Sequence, residues 1–100
     1  MIARIWHGMT NMTNLDAYAD FLKKTAMPDY KTTAGFKGLT FLRNISNGVA
    51  NFVLITYWED MEAIKGFAGL DYEKAKYYPE DNNFLLEFEE TVQHFEVFAS

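Results

Sequence analysis

Several side chains near the ends of predicted strands and helices have the chemistry of a small-molecule site. His7 ends the first predicted strand, and an imidazole can accept a proton at working pH because its unperturbed pKa lies near neutrality. Trp58 ends the third predicted strand. Four aromatic residues then lie on predicted helical segments: Phe67, Tyr72, Tyr77 and Tyr78. The pattern predicts an aromatic pocket between helices and sheet, with His7 as the base at its mouth.

Each of these residues also has a purely structural interpretation. His7 would then be a strand-end histidine held by a backbone hydrogen bond, Trp58 a plug of the core, and the tyrosines part of an amphipathic segment. No metal site is predicted, because His7 and His94 lie far apart and neither has an acidic residue at ligand spacing. The chain has no cysteine, and its glycines fit neither a phosphate loop nor a dinucleotide fingerprint.

The element that must position these side chains is the apolar run at residues 52–55. Its side chains alternate between two faces, so both faces of a strand here are apolar. A helix is the competing interpretation, but the β-branched and aromatic content and the preceding Asn47-Gly48 favour a strand after a hairpin turn. Helices can cover one face of the sheet, and we expect a second copy of the chain to cover the other. Trp6 and Phe41 are expected on that dimer face.

The remaining chain divides into alternating strand and helix patterns. In order, these are a strand at 2–7 with His7 on the helix-covered Ala3–Ile5 face, a helix at 15–26 ended by Pro28, strands at 39–45 and 51–59, a helix from Asp60 to Gly69, a short helix at 72–78 and a strand at 91–98. This order predicts an α+β, ferredoxin-like βαββαβ fold with a four-stranded antiparallel sheet. Within it, we expect right-handed crossovers to place strands one and three side by side and parallel, with both helices on one face.

Composition narrows the class of partner. The chain forms a single domain over residues 1–100, with a net charge of -5 and a sequence pI near 4.9. Its basic residues are scattered and form no stripe, which argues against nucleic acid and against anionic membranes as partners. No signal peptide or membrane-spanning run is recognised, so we expect a cytoplasmic protein.

The chain resembles the antibiotic biosynthesis monooxygenase (ABM) domain family of the dimeric α/β-barrel superfamily. The segments that carry the resemblance are residues 1–6, 56–60, 67–69, 75–81 and 92–97, which read MIARIW, TYWED, FAG, AKYYPED and VQHFEV. The resemblance spans nearly the whole chain. It implies a homodimer whose two sheets form a shared barrel, with a cavity between the helices and the sheet of each subunit.

For function, the resemblance implies a small-molecule enzyme akin to cofactor-independent monooxygenases of aromatic or enolisable substrates. In that branch the deprotonated substrate itself supplies electrons to oxygen, so no cofactor is expected. His7 and Trp58 would be the catalytic residues, with Trp58 and the tyrosines bounding the pocket. In the haem-degrading branch, a histidine on the second helical segment binds iron. Residues 61–78 contain none here, which argues against haem. A non-catalytic ligand-binding dimer is the other alternative.

Overall fold

The computed structural model describes residues 1–100 and contains a four-stranded sheet covered by helices. The elements are β1 (Ile2–Asn11), a 3₁₀ turn (Met12–Asn14), α1 (Leu15–Phe21), a π turn (Leu22–Ala26), α2 (Met27–Lys31), β2 (Phe36–Ser46), β3 (Val49–Trp58), α3 (Met61–Ala68), a second 3₁₀ turn (Pro79–Asn83) and β4 (Gln93–Glu96). The strand order is β2-β3-β1-β4, and every neighbouring pair is antiparallel. This is the predicted α+β, ferredoxin-like arrangement. No helix is long and apolar enough to cross a membrane.

β3 lies inside the sheet and has the two apolar faces that its sequence predicts. Phe52, Leu54 and Trp58 are buried on one face, where they join a core cluster formed with the helices. Val53 and Ile55 point to the other face and remain partly exposed. The hairpin before β3 is also confirmed, because Asn47 and Gly48 both have positive φ, at 54° and 78°.

The relation between strands one and three corrects the sequence-based prediction. β1 and β3 are antiparallel neighbours, with Ile2 opposite Trp58 and His7 opposite Val53. The crossover through α1 and α2 makes β1 parallel to β2, and the hairpin then reverses the chain into β3. His7 and Trp58 therefore do not meet at one edge of the sheet.

The two faces of β1 are also the reverse of the prediction. Trp6 is buried in the helix-covered core, and Phe41 packs against the ring of Tyr30 on α2. Ile5 and His7 alternate with these buried positions and so point to the open face, away from the helices. The error arose because small or apolar residues occur on both faces of this strand, so alternation alone could not tell them apart.

Pro28 does not end the first helical layer. The chain passes through the π turn, in which the Met27 N–H donates to the Leu22 carbonyl five residues back, and continues as α2 with Pro28 in its first turn. Proline lacks a backbone N–H. It is tolerated at the start of a helical segment because the N–H groups of the first turn have no partner within the helix. The widened turn lets a new helical segment begin at this point.

After α3 the chain is irregular where a short helix at 72–78 was predicted. α3 itself is as expected: the Asp60 side chain accepts from the Ala63 N–H at 2.9 Å, and Gly69 ends the helix with φ of 89°. Beyond it, the backbone of residues 73–75 pairs with residues 90–92. This pairing satisfies backbone groups that a helix would have used internally. Pro79 begins a 3₁₀ turn and does not end a helix.

Candidate functional site

A small cavity lies between the sheet and the first helical layer. Its volume is about 10 Å³, which is about the space that one water molecule needs. Most of its wall is apolar or aromatic, with a few polar groups among the rings. The lining residues are Trp6, Tyr18, Leu22, Ala26, Tyr30, Leu54, Lys76, Tyr78 and Asp81. The π turn contributes Leu22 and Ala26, so this helical irregularity lies directly at the cavity.

The carboxyl group of Asp81 is the most deeply buried acid at the cavity. Asp81 is only 2% exposed, in the 3₁₀ turn that Pro79 begins. Its Oδ1 accepts from the Tyr18 hydroxyl at 2.7 Å, and its Oδ2 accepts from the Tyr78 backbone N–H at 2.7 Å. Burial raises the pKa of Asp81 above its ordinary value, although these hydrogen bonds oppose the shift. A carboxyl of this kind is a stronger base than an exposed one.

Asp29 holds the ammonium group of Lys76, which lines the cavity. The Lys76 ammonium donates to Asp29 Oδ2 at 2.9 Å and to the Phe67 carbonyl at 3.2 Å, and it lies 4.2 Å from the centre of the Phe67 ring. The Tyr78 hydroxyl donates to the same Asp29 oxygen at 2.5 Å. Burial acts to raise the pKa of Asp29, but the bonds from Tyr78 and Lys76 and the Lys76 charge together lower it. The Asp29 carboxylate therefore fixes both Tyr78 and Lys76.

Trp6 brings an unused donor to the same cavity. Its side chain is 5% exposed, and its Nε1 is the buried side-chain polar atom that lacks a hydrogen-bond partner. A buried N–H without a partner is destabilising unless something else accepts from it. The cavity lining therefore includes one residue with an unpaired donor and one with a buried carboxyl, among mostly apolar neighbours.

A larger groove adjoins the cavity. It has a volume of about 520 Å³ and lies between the first helical layer and the β2–β3 hairpin. Its wall includes Ala19, Phe41 and Phe52, with charged groups at the rim. Leu22 is the residue that lines both spaces, so the groove and the cavity meet at this side chain.

The aromatic residues that the sequence assigned to substrate binding lie at different distances from this cavity. Tyr78 lines it, and Phe67 packs behind it against the rings of Tyr30 and Trp58. Tyr77 places its ring edge against Trp6 and donates its hydroxyl to the Glu89 carbonyl. Tyr72 lies elsewhere, beside His94. The structure thus brings Tyr78, Phe67 and Tyr77 together around the cavity but not Tyr72.

The two residues predicted to be catalytic lie outside the cavity. His7 is on the open face of the sheet, where its Nδ1 lies 2.5 Å from Glu89 Oε2. Trp58 is fully buried in the core, and its Nε1 donates to the Thr56 hydroxyl at 2.8 Å. The expected pocket with His7 at its mouth is therefore not the arrangement observed, because β1 presents His7 to the opposite face.

Sequence reasoning missed Trp6, Tyr18, Lys76 and Asp81 as site residues. Trp6 was assigned to the dimer face, and Asp81 was regarded as part of a polar turn. A signal for Asp81 was present, since an acid two residues after Pro79 can accept from the backbone before the turn. Its burial beneath Tyr18 depends on a contact across 63 residues, which local patterns do not carry.

Arg4, which is buried, and His94, which is partly exposed, form a separate cluster on the helix-covered side of β1 and β4. Arg4 is 2% exposed and donates to the carbonyls of Tyr72 at 2.6 Å and Lys74 at 3.1 Å. Its guanidinium also lies 3.1 Å from His94 Nε2. Since arginine has no acceptor, Arg4 is the donor in this hydrogen bond. Burial, and then the Arg4 charge, lower the pKa of His94. The cluster joins strand β4 to the irregular segment after α3.

Comparison with known proteins finds solved structures of similar fold. No family model and no curated protein matches the sequence. Among solved structures, NE2512, a protein of unknown function from Nitrosomonas europaea, matches with a TM-score of 0.72 and 16% identity over 99% of this chain and 90% of that one. An arginine-to-serine mutant of MhuD, with two manganese protoporphyrin IX molecules bound per active site, also matches. Its TM-score is 0.63 and its sequence identity is 16%, over 100% of this chain and 97% of that one.

A third solved structure carries the family description. It is a candidate antibiotic biosynthesis monooxygenase from Bacillus cereus, with a TM-score of 0.51 and 19% identity over 99% of this chain and 90% of that one. The chain therefore has the α+β, ferredoxin-like fold of ABM proteins, as the sequence resemblance implied. At these identities the likeness establishes the fold, and the activity has to be argued from the site.

Proposed function

We propose that this protein is a small-molecule enzyme of the ABM type, acting on aromatic or enolisable substrates without a bound cofactor. The observation that carries the proposal is the pair of adjoining spaces between helices and sheet. The groove of about 520 Å³ falls within the range of ligand sites, and the cavity behind Leu22 supplies buried polar groups. Aromatic walls and few, fixed polar groups suit a planar, mostly apolar substrate.

The proposed reaction uses the substrate as the source of electrons. An electron-rich phenol or enol, once deprotonated, transfers electrons to oxygen. For a substrate methylene, the net change inserts one oxygen atom as a carbonyl and releases the other as water with the two methylene hydrogens. The protein binds and orients the ring in the groove, excludes bulk water from the reacting end and accepts the first proton.

The residues of the sequence-based site take different parts in this proposal. Tyr78 contacts the substrate, because it lines the cavity. Phe67 and Tyr77 position Lys76 and Trp6, against which they pack. His7, Trp58 and Tyr72 are not part of the proposed site, since none of them lines the cavity or the groove.

We also propose that the active form is a homodimer joined through the open face of the sheet. Partly exposed Ile5, Val53 and Ile55 lie there with the more exposed Leu42 and Phe95, which are 48% and 51% exposed. An apolar sheet face of this kind is typical of a surface that another layer covers. The helices already cover the opposite face, so a second copy is the occupant that the fold suggests.

Oxygen uptake with a phenolic probe tests the activity. The probe is 1,8-dihydroxyanthrone, which is aromatic, enolisable and oxidised to a quinone. We expect the protein to accelerate oxygen consumption and quinone formation in proportion to protein concentration. Heat-denatured protein is the control. Binding of the probe with no acceleration above that control would remove the catalytic proposal.

A non-catalytic binding protein is the second candidate, because the groove of about 520 Å³ has room for a ligand whether or not a reaction follows. A binding protein would show a higher melting temperature with the same probe, and the probe would be recovered unchanged. Haem is not proposed as the ligand, because neither the cavity nor the groove is lined by a histidine. Titration with haemin is therefore expected to give no ligated-iron absorption band.

A further inference from the structure

Trp6 has a buried donor without a hydrogen-bond partner, Asp81 has spare acceptor capacity, and both residues line the same small cavity. The indole N–H of Trp6 can only donate, so the missing group must be an acceptor. Asp81 receives one hydrogen bond on each carboxylate oxygen, which leaves a lone pair on each. An oxygen that accepts from Trp6 and gives its own proton to Asp81 would satisfy both residues.

The size and lining of the cavity restrict what can carry that oxygen. The space holds about one water-sized group, which matches a single hydroxyl oxygen. The surrounding wall is apolar at Leu22, Ala26 and Leu54, so the rest of the ligand must be apolar as well. The ring of such a ligand would occupy the groove and reach the cavity past Leu22.

We propose that Trp6 and Asp81 are catalytic residues that bind and ionise the hydroxyl group of a phenol or enol. This inference rests on the proposed function and assigns its proton-transfer step. The substrate O–H bond breaks, the proton passes to a carboxylate oxygen of Asp81, and the electron pair stays on the substrate oxygen. That oxygen then accepts the hydrogen bond from Trp6 Nε1. The step transfers no electrons, and Tyr18 is a positioning residue for the carboxylate.

The charges around Asp81 agree with this assignment. Burial raises the pKa of Asp81, the Tyr78 N–H and the Tyr18 hydroxyl lower it, and neighbouring Glu80 raises it. The other titratable groups that face this region are Lys76, Asp29, Tyr30, Tyr77 and the Tyr78 hydroxyl. Lys76 also lines the cavity, but its positive charge is paired with the Asp29 carboxylate.

Binding of 4-nitrophenol tests the assignment, because its ionised form absorbs at longer wavelength than the neutral form. The titration is done at a pH at which the free probe is neutral. We expect wild-type protein to bind the probe with the phenolate band. Asp81→Asn should bind it in the neutral form, and Trp6→Phe should weaken binding about tenfold through loss of one hydrogen bond. Circular dichroism checks that each variant is folded.

If Asp81→Asn does not fold, Tyr18→Phe provides a second test of the inference. It retains the carboxylate but removes a donor that lowers the Asp81 pKa, so the bound phenolate fraction should rise. A wild-type protein that binds only neutral probe, or variants at Asp81 and Tyr18 with unchanged phenolate fractions, would overturn the inference. Oxygen uptake with 1,8-dihydroxyanthrone on the same samples separates the proposals. Oxygen uptake without a phenolate band would contradict this inference alone. The absence of both probe binding and oxygen uptake would contradict the proposed function as well.

Discussion

At the residue scale, the Tyr18–Asp81 hydrogen bond shows how much the buried polar cluster contributes to stability. Tyr18 is fully buried, and its hydroxyl donates to Asp81 at 2.7 Å. Tyr18→Phe leaves a buried carboxylate with one partner fewer. We expect the free energy of unfolding to fall by about 1–3 kcal/mol, measured by urea denaturation.

Tyr72→Phe is the matched control for this loss. The Tyr72 hydroxyl donates no hydrogen bond within the structure, and its ring is only partly buried. Its removal should change the free energy of unfolding by no more than about 0.5 kcal/mol. Equal losses at the two tyrosines would show that the hydroxyl on Asp81 adds nothing to stability.

His94 should make stability depend on pH in the neutral range. Burial and the Arg4 charge lower its pKa below 6.5, and Glu73 opposes them. The unfolded chain then binds more protons than the folded chain, so stability rises with pH. The contribution is complete above pH 6.5 and is lost as pH falls through 6.5 towards the folded-state pKa. We expect the urea midpoint of the wild type to decrease as the pH is lowered from 6.5 through the folded-state pKa of His94.

His94→Gln tests the origin of that decrease. Its amide oxygen can still accept from Arg4, but the side chain does not titrate. The variant should lose less stability than the wild type over the same pH interval. His7→Gln removes the other histidine and should retain the His94-dependent loss. Identical pH profiles for wild type and His94→Gln would assign the effect to other groups.

Single residues were the least predictable part of the site. The sequence pointed to Tyr78, which lines the candidate cavity, and predicted a site between helices and sheet. It did not identify Trp6 or Asp81, because their role depends on burial and on partners distant in sequence. It also placed His7 on the wrong face, because alternation in β1 is ambiguous when Ala3 and Trp6 are both buried.

At the scale of elements, the π turn places Leu22 in the lining of both the groove and the cavity. Leu22 is 4% exposed. Leu22→Ala should join the two spaces. We expect faster association of 4-nitrophenol in stopped-flow measurements, with a loss of about 2–5 kcal/mol in the free energy of unfolding.

Leu54→Ala is the control for the size of the deletion. Leu54 is 3% exposed and lines the cavity but not the groove, so its truncation removes the same atoms without opening the path. It should destabilise the protein by a similar amount and leave the association rate of the probe nearly unchanged. If the two variants accelerate association equally, general loosening of the core and not Leu22 controls entry.

The elements themselves followed from local signals wherever those signals agreed. Asn47-Gly48 fixed the hairpin, and Asp60 and Gly69 bounded α3. The predictions failed where a tertiary contact replaced a local rule. Pro28 follows a widened turn and so remains helical, and the segment after α3 pairs its backbone with residues 90–92 in place of forming a helix. Neither the widened turn before Pro28 nor the backbone pairing after α3 can be recognised from the nearby sequence.

At the scale of the whole molecule, the open sheet face is the feature that one chain leaves incomplete. Helices cover one side of the sheet, and partly exposed apolar residues of β1 and β3 form the other. Ile55 lies near the centre of that face, opposite Ile5 on β1 and Thr40 on β2. Covering this face with a second copy would remove apolar surface from water on both chains, and that burial favours association.

Ile55→Asp tests this association. Because Ile55 is partly exposed in the single chain, an aspartate there can stay hydrated in a monomer, so the fold should persist by circular dichroism. In a dimer, the same carboxylate would be buried without a partner, at a cost of several kcal/mol per ion. We expect analytical ultracentrifugation at micromolar concentration to show a wild-type dimer and an Ile55→Asp monomer.

Ala17→Asp adds the same charge at an exposed position of α1, away from the open face, and should remain dimeric. A wild-type protein that sediments as a monomer at micromolar concentration would contradict the homodimer directly. Equal dimerisation of both aspartate variants would instead place the interface elsewhere. The cavity lies on the opposite side of the sheet from Ile55, so a monomeric Ile55→Asp protein should still bind 4-nitrophenol. That result would separate assembly of the dimer from chemistry at the site.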